Sequence, residues 1–309
     1  MGGPSARPLN MYKQIDSNRH KSALLIALFI GILSVAGYAY GYVTDTGYGG
    51  LVIALIISIG MTSVSWFAGD KIVLATSGAV QITDRNQNPS LWNLVENLCI
   101  TAGLPIPKIY VIDDPSPNAF ATGRDPQHAS IAVTTGLVQM MENEELEGVI
   151  AHELSHVKNL DCRYMLLVAV LVGSLSLLGH FFVRGGLFGR RGRDQKDDSG
   201  LLLIIGIVFL IIAPVVGEMI KLAISRKREY LADASGALLT RYPEGLARAL
   251  EKIRDANQPM TRASEATAHL WISNPFAGQG WKSRFSNLLS THPPLEDRIL
   301  ELRKMEDAR

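Results

Sequence analysis

The sequence predicts a mainly α-helical, multi-pass membrane protein that also carries an α+β domain outside the bilayer. Hydrophobic residues make up 47% of its 309 residues and the mean hydropathy is +0.15, whereas charged residues make up 19%. The charges are unevenly distributed, because the runs 23–42 and 49–68 contain none. Each run has about the ~20 residues that a helix needs to cross a bilayer. This composition excludes a disordered chain, a collagen-like chain and a disulfide-stapled fold.

The charges beside the first two apolar runs predict their orientation. The N-terminal tail, residues 1–22, holds four basic residues and one acidic residue, whereas the link 44–48 holds only Asp45. Because basic residues favour the cytoplasmic side of a membrane, we expect a cytoplasmic tail followed by two transmembrane helices within 23–68. No cleavage-site pattern follows the first run, so it does not read as a removable signal peptide. A buried hairpin in a large soluble core is the alternative.

Residues 69–164 are expected to form the first part of the α+β domain. Asn88 and Pro89 are typical of a helix start, and Gly103 is typical of a helix end. The predicted elements are a helix from Pro89 to about Gly103, strands at 108–112 and 129–134, and a helix over 142–159. Acidic residues in the first turn of that last helix suit its dipole.

Two further apolar runs, 165–183 and 201–217, predict a hairpin within 165–220. The loop 184–200 between them has five basic and three acidic residues, a net charge of +2. Full crossing would put this basic loop outside, against the positive-inside tendency. A transmembrane hairpin and a re-entrant hairpin therefore both stay open. Residues 221–309 are expected to be a soluble, helical second part of the domain.

Net charge and cysteine content narrow the function classes. A net charge of +1 gives no bulk attraction to nucleic acid, so we expect no nucleic-acid partner. The two cysteines, Cys99 and Cys162, are too few for a stapled secreted fold. We interpret both as small core residues in a reducing compartment.

Residues 152–156 read H-E-L-S-H and lie within the helix predicted over 142–159. Residues four apart share one face of a helix, so His152 and His156 can bind one metal ion. Two imidazoles at this spacing favour zinc. Glu153 lies on the neighbouring face, where a carboxylate can take a proton from metal-activated water and deliver it to a leaving amine. A surface helix with two unrelated histidines is the alternative.

A catalytic zinc site needs a third protein ligand, and residues 225–233 offer one. Glu229 and Asp233 in this segment are like charges at i,i+4, which destabilise a bare helix. A bound cation would relieve that repulsion. We expect Glu229 to be the third ligand and Asp233 to accept the N–H of a ligand imidazole. Ordinary pairing of these carboxylates with Arg226 or Arg228 is the alternative.

Four motifs, taken together, resemble the HtpX membrane zinc metalloproteases, which are distant relatives of the CAAX prenyl proteases. They are H-E-L-S-H at 152–156, E-Y-L-A-D at 229–233, N-A-F-A-T-G at 118–123 and T-H-P-P-L-E-D-R at 291–298. The order of spans, zinc helix, apolar hairpin and later glutamate also matches, so the resemblance covers nearly the whole chain. It implies a gluzincin-like α+β protease domain with a small β-sheet beside the H-E-x-x-H helix.

The resemblance also implies roles for the metal-site residues. One Zn²⁺ per chain would be bound by His152, His156 and Glu229, with Glu153 as the general base. His292 and Arg298 in the tail motif would stabilise the oxyanion, a role that suits cationic donors. For the tail motif, a helix-capping turn with a solvated arginine is the alternative.

Substrate contacts follow from the resemblance as well. Asn118 resembles the family residue beside the substrate cleft, although asparagine is equally common as a turn-former. The stretch Ala129, Ser130, Ile131 and Ala132, continuing to Val133, looks like the edge strand on which such proteases align an extended peptide. Pairing of this kind would bind unfolded segments with little sequence preference.

The resulting prediction is a zinc endopeptidase of the bacterial inner membrane whose active site faces the cytoplasm. Its expected partners are the lipid bilayer and unfolded or misfolded membrane proteins, in quality control and stress response. A narrower prenyl-protein-type protease is one alternative, but a walled chamber would need more than four spans. A non-catalytic zinc-bound scaffold or holdase is another. Glu153 favours an enzyme, because structural zinc sites tend to fill all four positions with protein ligands.

Overall fold

A computed structural model of the protein describes residues 9–43, 45–188, 204–212, 226–264, 267–276 and 293–307. The chain divides into two compact units. The first unit comprises Met1–Arg19, Asp70–Leu166 and Lys221–Arg309, and the second comprises His20–Gly69 and Leu167–Ile220. The described part is mainly helical and includes one small mixed sheet, as the sequence predicts.

The elements are numbered in chain order. The helices are α1 (Leu9–Val43), α2 (Gly49–Thr76), α3 (Pro89–Ala102), α4 (Thr135–Met140), α5 (Asn143–Lys158), α6 (Asp161–Phe188), α7 (204–212), α8 (Arg226–Thr240), α9 (Pro243–Ala256) and α10 (Leu295–Asp307). The strands are β1 (Ala79–Ile82), β2 (Lys108–Ile112), β3 (Ala119–Gly123) and β4 (Ala129–Thr134).

Three helices in the described residues are long and apolar enough to cross a membrane. Their candidate spans are Ile15–Tyr42, Gly49–Thr76 and Asp161–Arg184. Large apolar side chains along α2, such as Ile53 and Ile56, are exposed, which suits contact with lipid rather than water. The protein is therefore a multi-pass membrane protein. Residues 189–203 and 213–225 lie outside the described residues, and with them most of the predicted loop 184–200.

Helices α1 and α2 approach closely at two glycines. A Cβ atom on Gly37 would lie 2.6 Å from the carbonyl oxygen of Gly50, and a Cβ atom on Gly50 would collide with the carbonyl oxygen of Gly37. Small residues at a helix contact let two backbones approach in a membrane, where packing replaces the hydrophobic effect as the driving force. A larger side chain at either position would push the two helices apart.

The sheet of the first unit has the strand order β1-β2-β4-β3. β2 runs parallel to β4, whereas β1 pairs antiparallel with β2 and β3 pairs antiparallel with β4. The strands predicted at 108–112 and 129–134 are confirmed as β2 and β4. β1 and β3 complete the sheet, and β3 lies next to the zinc helix α5.

The prediction that Ala129, Ser130, Ile131 and Ala132 belong to an edge strand is wrong. β4 pairs with β2 through Ile131 and Ile109, and with β3 through Ile131 and Ala121. Hydrogen bonding to neighbours on both sides leaves its backbone no free edge for a peptide. All six residues of β4 are also buried. In the described part of the sheet, the edge strand on this side is β3.

The ends of α3 form as the sequence predicts. The Asn88 side chain accepts a hydrogen bond from the N–H of Leu91 at 3.1 Å, and Pro89 occupies the first turn. Gly103 ends the helix with φ of 67°, a left-handed conformation that glycine adopts without steric cost. Buried Leu91, Val95 and Leu98 from this helix join the core.

The core of the first unit forms around α5. Every residue of this helix from Glu145 to Val157 except Glu147 is buried, and the helix packs against α3, β3, α8 and α9. Val149, Ile150 and Leu154 are each at most 1% exposed. Each such side chain contributes roughly 1.5–3 kcal/mol by its burial. The helix that carries the H-E-x-x-H motif is therefore a rigid central element rather than a surface helix, which excludes that alternative.

Candidate metal centre and active site

The two histidines of the motif face each other on α5. His152 is 1% exposed and His156 is 4% exposed. Their Nε2 atoms are 3.2 Å apart, and their ring centroids are 4.8 Å apart with the planes nearly perpendicular. One helical turn between the residues produces this pairing, as predicted from the spacing.

Glu229 on α8 brings a carboxylate to the same point. Its Oε2 lies 3.8 Å from His152 Nε2, and its Oε1 lies 3.5 Å from His156 Nε2. The close approach of α8 to α5 depends on Gly236, where a Cβ atom would lie 3.0 Å from the backbone nitrogen of His152. Because the Glu229 carboxylate faces both histidines, the alternative that it only forms ion pairs with nearby arginines is excluded.

The three side chains fit a zinc ion. Ligand atoms of His152, His156 and Glu229 all lie within 4.8 Å of one another. Ligands at zinc's usual bond lengths around a tetrahedral centre are about 3.3–3.5 Å apart, close to the separations observed here. The donor set of two imidazoles and one carboxylate leaves a fourth position open, as catalytic rather than structural zinc sites do.

The other ring nitrogen of His152 is held by Asp233, also on α8. His152 Nδ1 lies 2.9 Å from Asp233 Oδ1. Because an ionised carboxylate only accepts hydrogen bonds, this contact places the ring proton on Nδ1 and leaves Nε2 free for metal. Arg298 on α10 donates to both oxygens of Asp233, with Nε at 2.8 Å and Nη2 at 2.6 Å. Burial would raise the pKa of Asp233, but the charge of Arg298 and the hydrogen bonds from His152 and Arg298 together lower it.

His156 has an equivalent support from a residue that follows the helix. Its Nδ1 lies 3.1 Å from Oδ2 of Asp161, the first residue of α6. The other oxygen, Oδ1, accepts a 2.7 Å hydrogen bond from Asn18 Nδ2 and lies 3.2 Å from Arg228 Nε. All four side chains are at most 4% exposed.

The same carboxylates set the proton affinity of His156. Burial alone would lower the pKa of this histidine, but the hydrogen bond that it donates to Asp161 and the charges of Glu229, Asp161 and Glu153 raise it to about 9. The negative charge that binds a proton here also attracts a metal cation. The site is therefore arranged to hold positive charge.

Glu153 is placed beside the three ligands without being one of them. Its side chain is 2% exposed and accepts a hydrogen bond from the backbone N–H of Ala121 on β3. Burial raises the pKa of Glu153, although the neighbouring histidines act against that shift. A carboxyl group with a raised pKa can both accept and return a proton near neutral pH.

The structure gives Asn118 a different contact from the one expected. Its amide is 1% exposed and has protein partners at both ends. Nδ2 donates to Ser273 O at 3.1 Å, and Oδ1 accepts from the N–H groups of Ala119 and Ser273. The side chain therefore ties residues 271–273 to the start of β3, where Ile272 N–H also donates to Ala119 O at 2.9 Å. Its role beside the substrate stays a prediction.

Only residues 293–298 of the tail motif lie within the part of the chain that the structure describes. His292 lies outside the described residues, so its expected role stays a prediction. Arg298 is completely buried. Besides Asp233, its guanidinium contacts Ile272 O at 3.3 Å and lies 3.7 Å from Glu229. The alternative of a solvated arginine is wrong, whereas the oxyanion role stays a prediction.

Sequence reasoning missed three residues of this site, namely Asp161, Arg228 and Asn18. Asp161 carries a local signal, since it follows His156 by five residues and comes shortly before the apolar run 165–183. The sequence suggested Arg228 only as an alternative partner for Glu229 or Asp233. Asn18 has no signal in the sequence, because it lies 143 residues from the carboxylate it contacts.

Comparisons with known proteins agree with this site. Residues 85–306 match the family model described as Peptidase family M48. A protease HtpX homolog of Caldanaerobacter subterraneus subsp. tengcongensis is 46% identical over 299 residues, covering 96% of this chain and 98% of the relative. Protease HtpX homologs of Dictyoglomus thermophilum and of Tropheryma whipplei (strain Twist) are 45% and 43% identical, covering 97% and 96% of this chain and 96% and 98% of the relatives.

The fold is also similar to a solved structure. The crystal structure of S. mikatae Ste24p superposes with a TM-score of 0.50 and 19% sequence identity. The match covers 94% of this chain and 67% of that chain, and at this identity it supports the fold alone. The family model and the near full-length relatives go further. With the zinc site formed by His152, His156 and Glu229, they show that the chain belongs to peptidase family M48, among the HtpX-type membrane zinc metallopeptidases.

Proposed function

We propose that this metallopeptidase is an endopeptidase for misfolded or damaged membrane proteins, acting in quality control and stress response. The observation that carries the proposal is the position of Glu153. Its carboxylate is buried next to His152, His156 and Glu229 and is fixed by the N–H of Ala121. A catalytic carboxylate is needed at this place for hydrolysis, whereas a scaffold or holdase has no use for it.

Each residue has a part in this mechanism. Zinc bound by His152, His156 and Glu229 would supply Lewis acidity for the peptide carbonyl and lower the pKa of the attacking water. Glu153 accepts the proton of that water and returns it to the leaving amine, a task that its raised pKa suits. Arg298 donates a hydrogen bond to Asp233 and so keeps this carboxylate in contact with the ring of His152.

Two roles in the reaction rest on the resemblance. His292 and Arg298 are proposed as donors to the oxyanion. For Arg298 the supporting observation is distance, since its Nη1 lies 3.7 Å from the ligand Glu229. For His292 the support is the tail motif alone.

We place peptide alignment on β3 rather than on β4. β3 passes the catalytic carboxylate, because Ala121 donates its N–H to Glu153. Ala119 already accepts from Ile272, so an added strand can pair only with the part of β3 beyond Ala121. Main-chain pairing of this kind accepts many sequences, which suits a substrate class defined by being unfolded.

The proposed site of action is the cytoplasmic face of the bacterial inner membrane. The support is the charge pattern: the four basic residues of the N-terminal tail precede the charge-free run 23–42, and the link to α2 carries only Asp45. Substrates would then be membrane proteins whose cytoplasmic segments have lost their structure.

The substitution Glu153→Gln tests the catalytic role. It keeps the size of the side chain and removes its ability to accept a proton, so cleavage of an unfolded membrane protein is expected to fall by about 10²–10⁴-fold. Zinc content, measured on the purified full-length protein in detergent, should stay at one ion per chain. Glu147→Gln, on the same helix but away from the ligands, is the control and should cleave at the normal rate.

The opposite result would favour another function. If Glu153→Gln binds zinc and still cleaves as fast as the unaltered protein, Glu153 is not the base. If neither protein cleaves any unfolded substrate although both bind zinc, the scaffold or holdase alternative is supported. Removal of zinc that unfolds the first unit would also point to a structural site.

A further inference from the structure

The beginning of α1 reaches the metal centre, although the sequence suggests only a cytoplasmic tail there. Asn18 is 1% exposed, whereas the adjacent Arg19 and the nearby Asp16 are exposed. A fully buried asparagine between exposed charged residues is expected to have specific hydrogen-bond partners. Its partners belong to the support of the zinc ligand His156.

The amide group of Asn18 donates two hydrogen bonds. Nδ2 donates to Asp161 Oδ1 at 2.7 Å and to the carbonyl oxygen of Asn159 at 3.0 Å. Asn159 is the C-terminal cap of the zinc helix α5, whose last carbonyl groups lack partners within the helix. Asn18 therefore contacts both the end of the zinc helix and the carboxylate that follows it.

The second oxygen of Asp161 continues the chain of contacts. Oδ2 lies 3.1 Å from His156 Nδ1, on the ring whose Nε2 faces the metal position. A carboxylate can rotate about its terminal bond, and only one orientation presents Oδ2 to the imidazole. Arg228 Nε is 3.2 Å from Oδ1 but outside hydrogen-bonding geometry, so it attracts the carboxylate without fixing its rotation.

We propose that Asn18 is a positioning residue of the zinc site, which fixes the rotation of Asp161 and thereby the ring of His156. Partners one step behind a ligand imidazole set its tautomer and orientation, and the substitution of such partners weakens metal binding. Asn18 acts one contact further out. The N-terminal segment is thus part of the metal centre, whichever peptides the enzyme cleaves.

The test measures zinc affinity rather than activity, so its outcome is independent of the proposed substrates. The full-length protein in detergent is titrated against a zinc chelator. Asn18→Leu keeps the number and branching of the side-chain heavy atoms and removes the donor, and it is expected to weaken zinc binding about 3- to 10-fold, less than the roughly 10–100-fold typical of a direct partner. Arg19→Ala, at the exposed neighbour, is the control and should leave the affinity unchanged.

A double-mutant cycle separates positioning from general destabilisation. If Asn18 acts through Asp161, Asn18→Leu should have no further effect on zinc affinity when Asp161→Asn is already present. The cobalt-substituted protein should show the same altered visible spectrum in Asn18→Leu and in Asp161→Asn. Asn18→Ala, which removes the donor and shortens the side chain, replaces Asn18→Leu if the latter does not fold.

Two results would overturn the proposal. One is an unchanged zinc affinity in Asn18→Leu or Asn18→Ala with the protein folded. The other is full additivity of the two substitutions, because Asn18 would then act on stability without passing through Asp161.

Discussion

The two histidines of the zinc helix are each supported by a carboxylate and an arginine, and the two pairs come from very different places in the chain. At His152 the pair is Asp233 and Arg298, which lie on α8 and α10. At His156 the carboxylate, Asp161, follows the helix by only three residues, and its arginine, Arg228, comes from the first turn of α8. Both histidines thus present Nε2 to the metal through the same kind of carboxylate contact.

The pairs differ in how tightly the arginine holds the carboxylate. Arg298 donates to both oxygens of Asp233 at 2.8 and 2.6 Å, the two-pronged geometry that fixes a carboxylate in place. Arg228 approaches one oxygen of Asp161 at 3.2 Å, and its guanidinium also lies over the ring of Tyr164. Asn18 supplies the hydrogen bond that Arg228 does not. A carboxylate held by a single ionic contact needs a second donor to define its orientation.

Arg298→Ala is expected to have the largest effect. It leaves the buried Asp233 without a cation, and breaking a buried pair of this kind costs about 3–5 kcal/mol. Thermal unfolding of the full-length protein in detergent should show a large drop in stability, together with loss of bound zinc. Arg303→Ala on the same helix, whose side chain is 49% exposed, is the control and should change little. An equally small effect of Arg298→Ala would show that Asp233 does not depend on this arginine.

Arg228→Ala is expected to destabilise the protein less than Arg298→Ala does. The difference between the two losses tests directly whether the two carboxylates are held with different strength. Asp161 keeps its hydrogen bond from Asn18 when the arginine is removed. We expect a loss of about 2 kcal/mol, below the usual range for a broken buried pair because one donor remains. The measurement is the same unfolding experiment, with the exposed Lys227→Ala as control. A loss as large as that of Arg298→Ala would mean that the two supports are equivalent.

Local pattern was enough to predict the zinc ligands. The spacing of His152 and His156 fixes their common face in any helix, and the repulsion between Glu229 and Asp233 marks a place where a cation binds. The structure confirms the metal group that these signals indicate. A short-range periodicity determines such contacts, whatever the rest of the fold does.

Contacts that depend on chain topology could not be predicted in this way. β4 reads as a strand, but its pairing with both β2 and β3 depends on the order of strands in the sheet. β3 itself has all five residues buried, so it lacks the alternation that marks a half-exposed strand. The contact of Asn18 with Asp161 forms only when two segments that are distant in sequence fold together, and neither segment has a sequence pattern that predicts it.

The smallest expected effect is a difference in how Asp161 and Asp233 influence the pH dependence of zinc binding. Burial alone would lower the pKa of His156, but Asp161 and the nearby glutamates raise it to about 9. Zinc must displace a proton from this ring, so affinity should rise with pH and level off near pH 9. Asp161→Asn removes the largest of the contributions that raise this pKa, so affinity should level off at a lower pH.

Asp233→Asn is the matched control for this shift. It changes the support of His152 and leaves the contact between Asp161 and His156 intact, so it should weaken zinc binding while the pH at which affinity levels off stays near 9. Chelator competition on the full-length protein from about pH 6 to about pH 10 measures both quantities, because proton and zinc compete for the same nitrogen. If both substitutions moved the levelling-off point equally, the two supports would act on the site as one network rather than each on its own histidine.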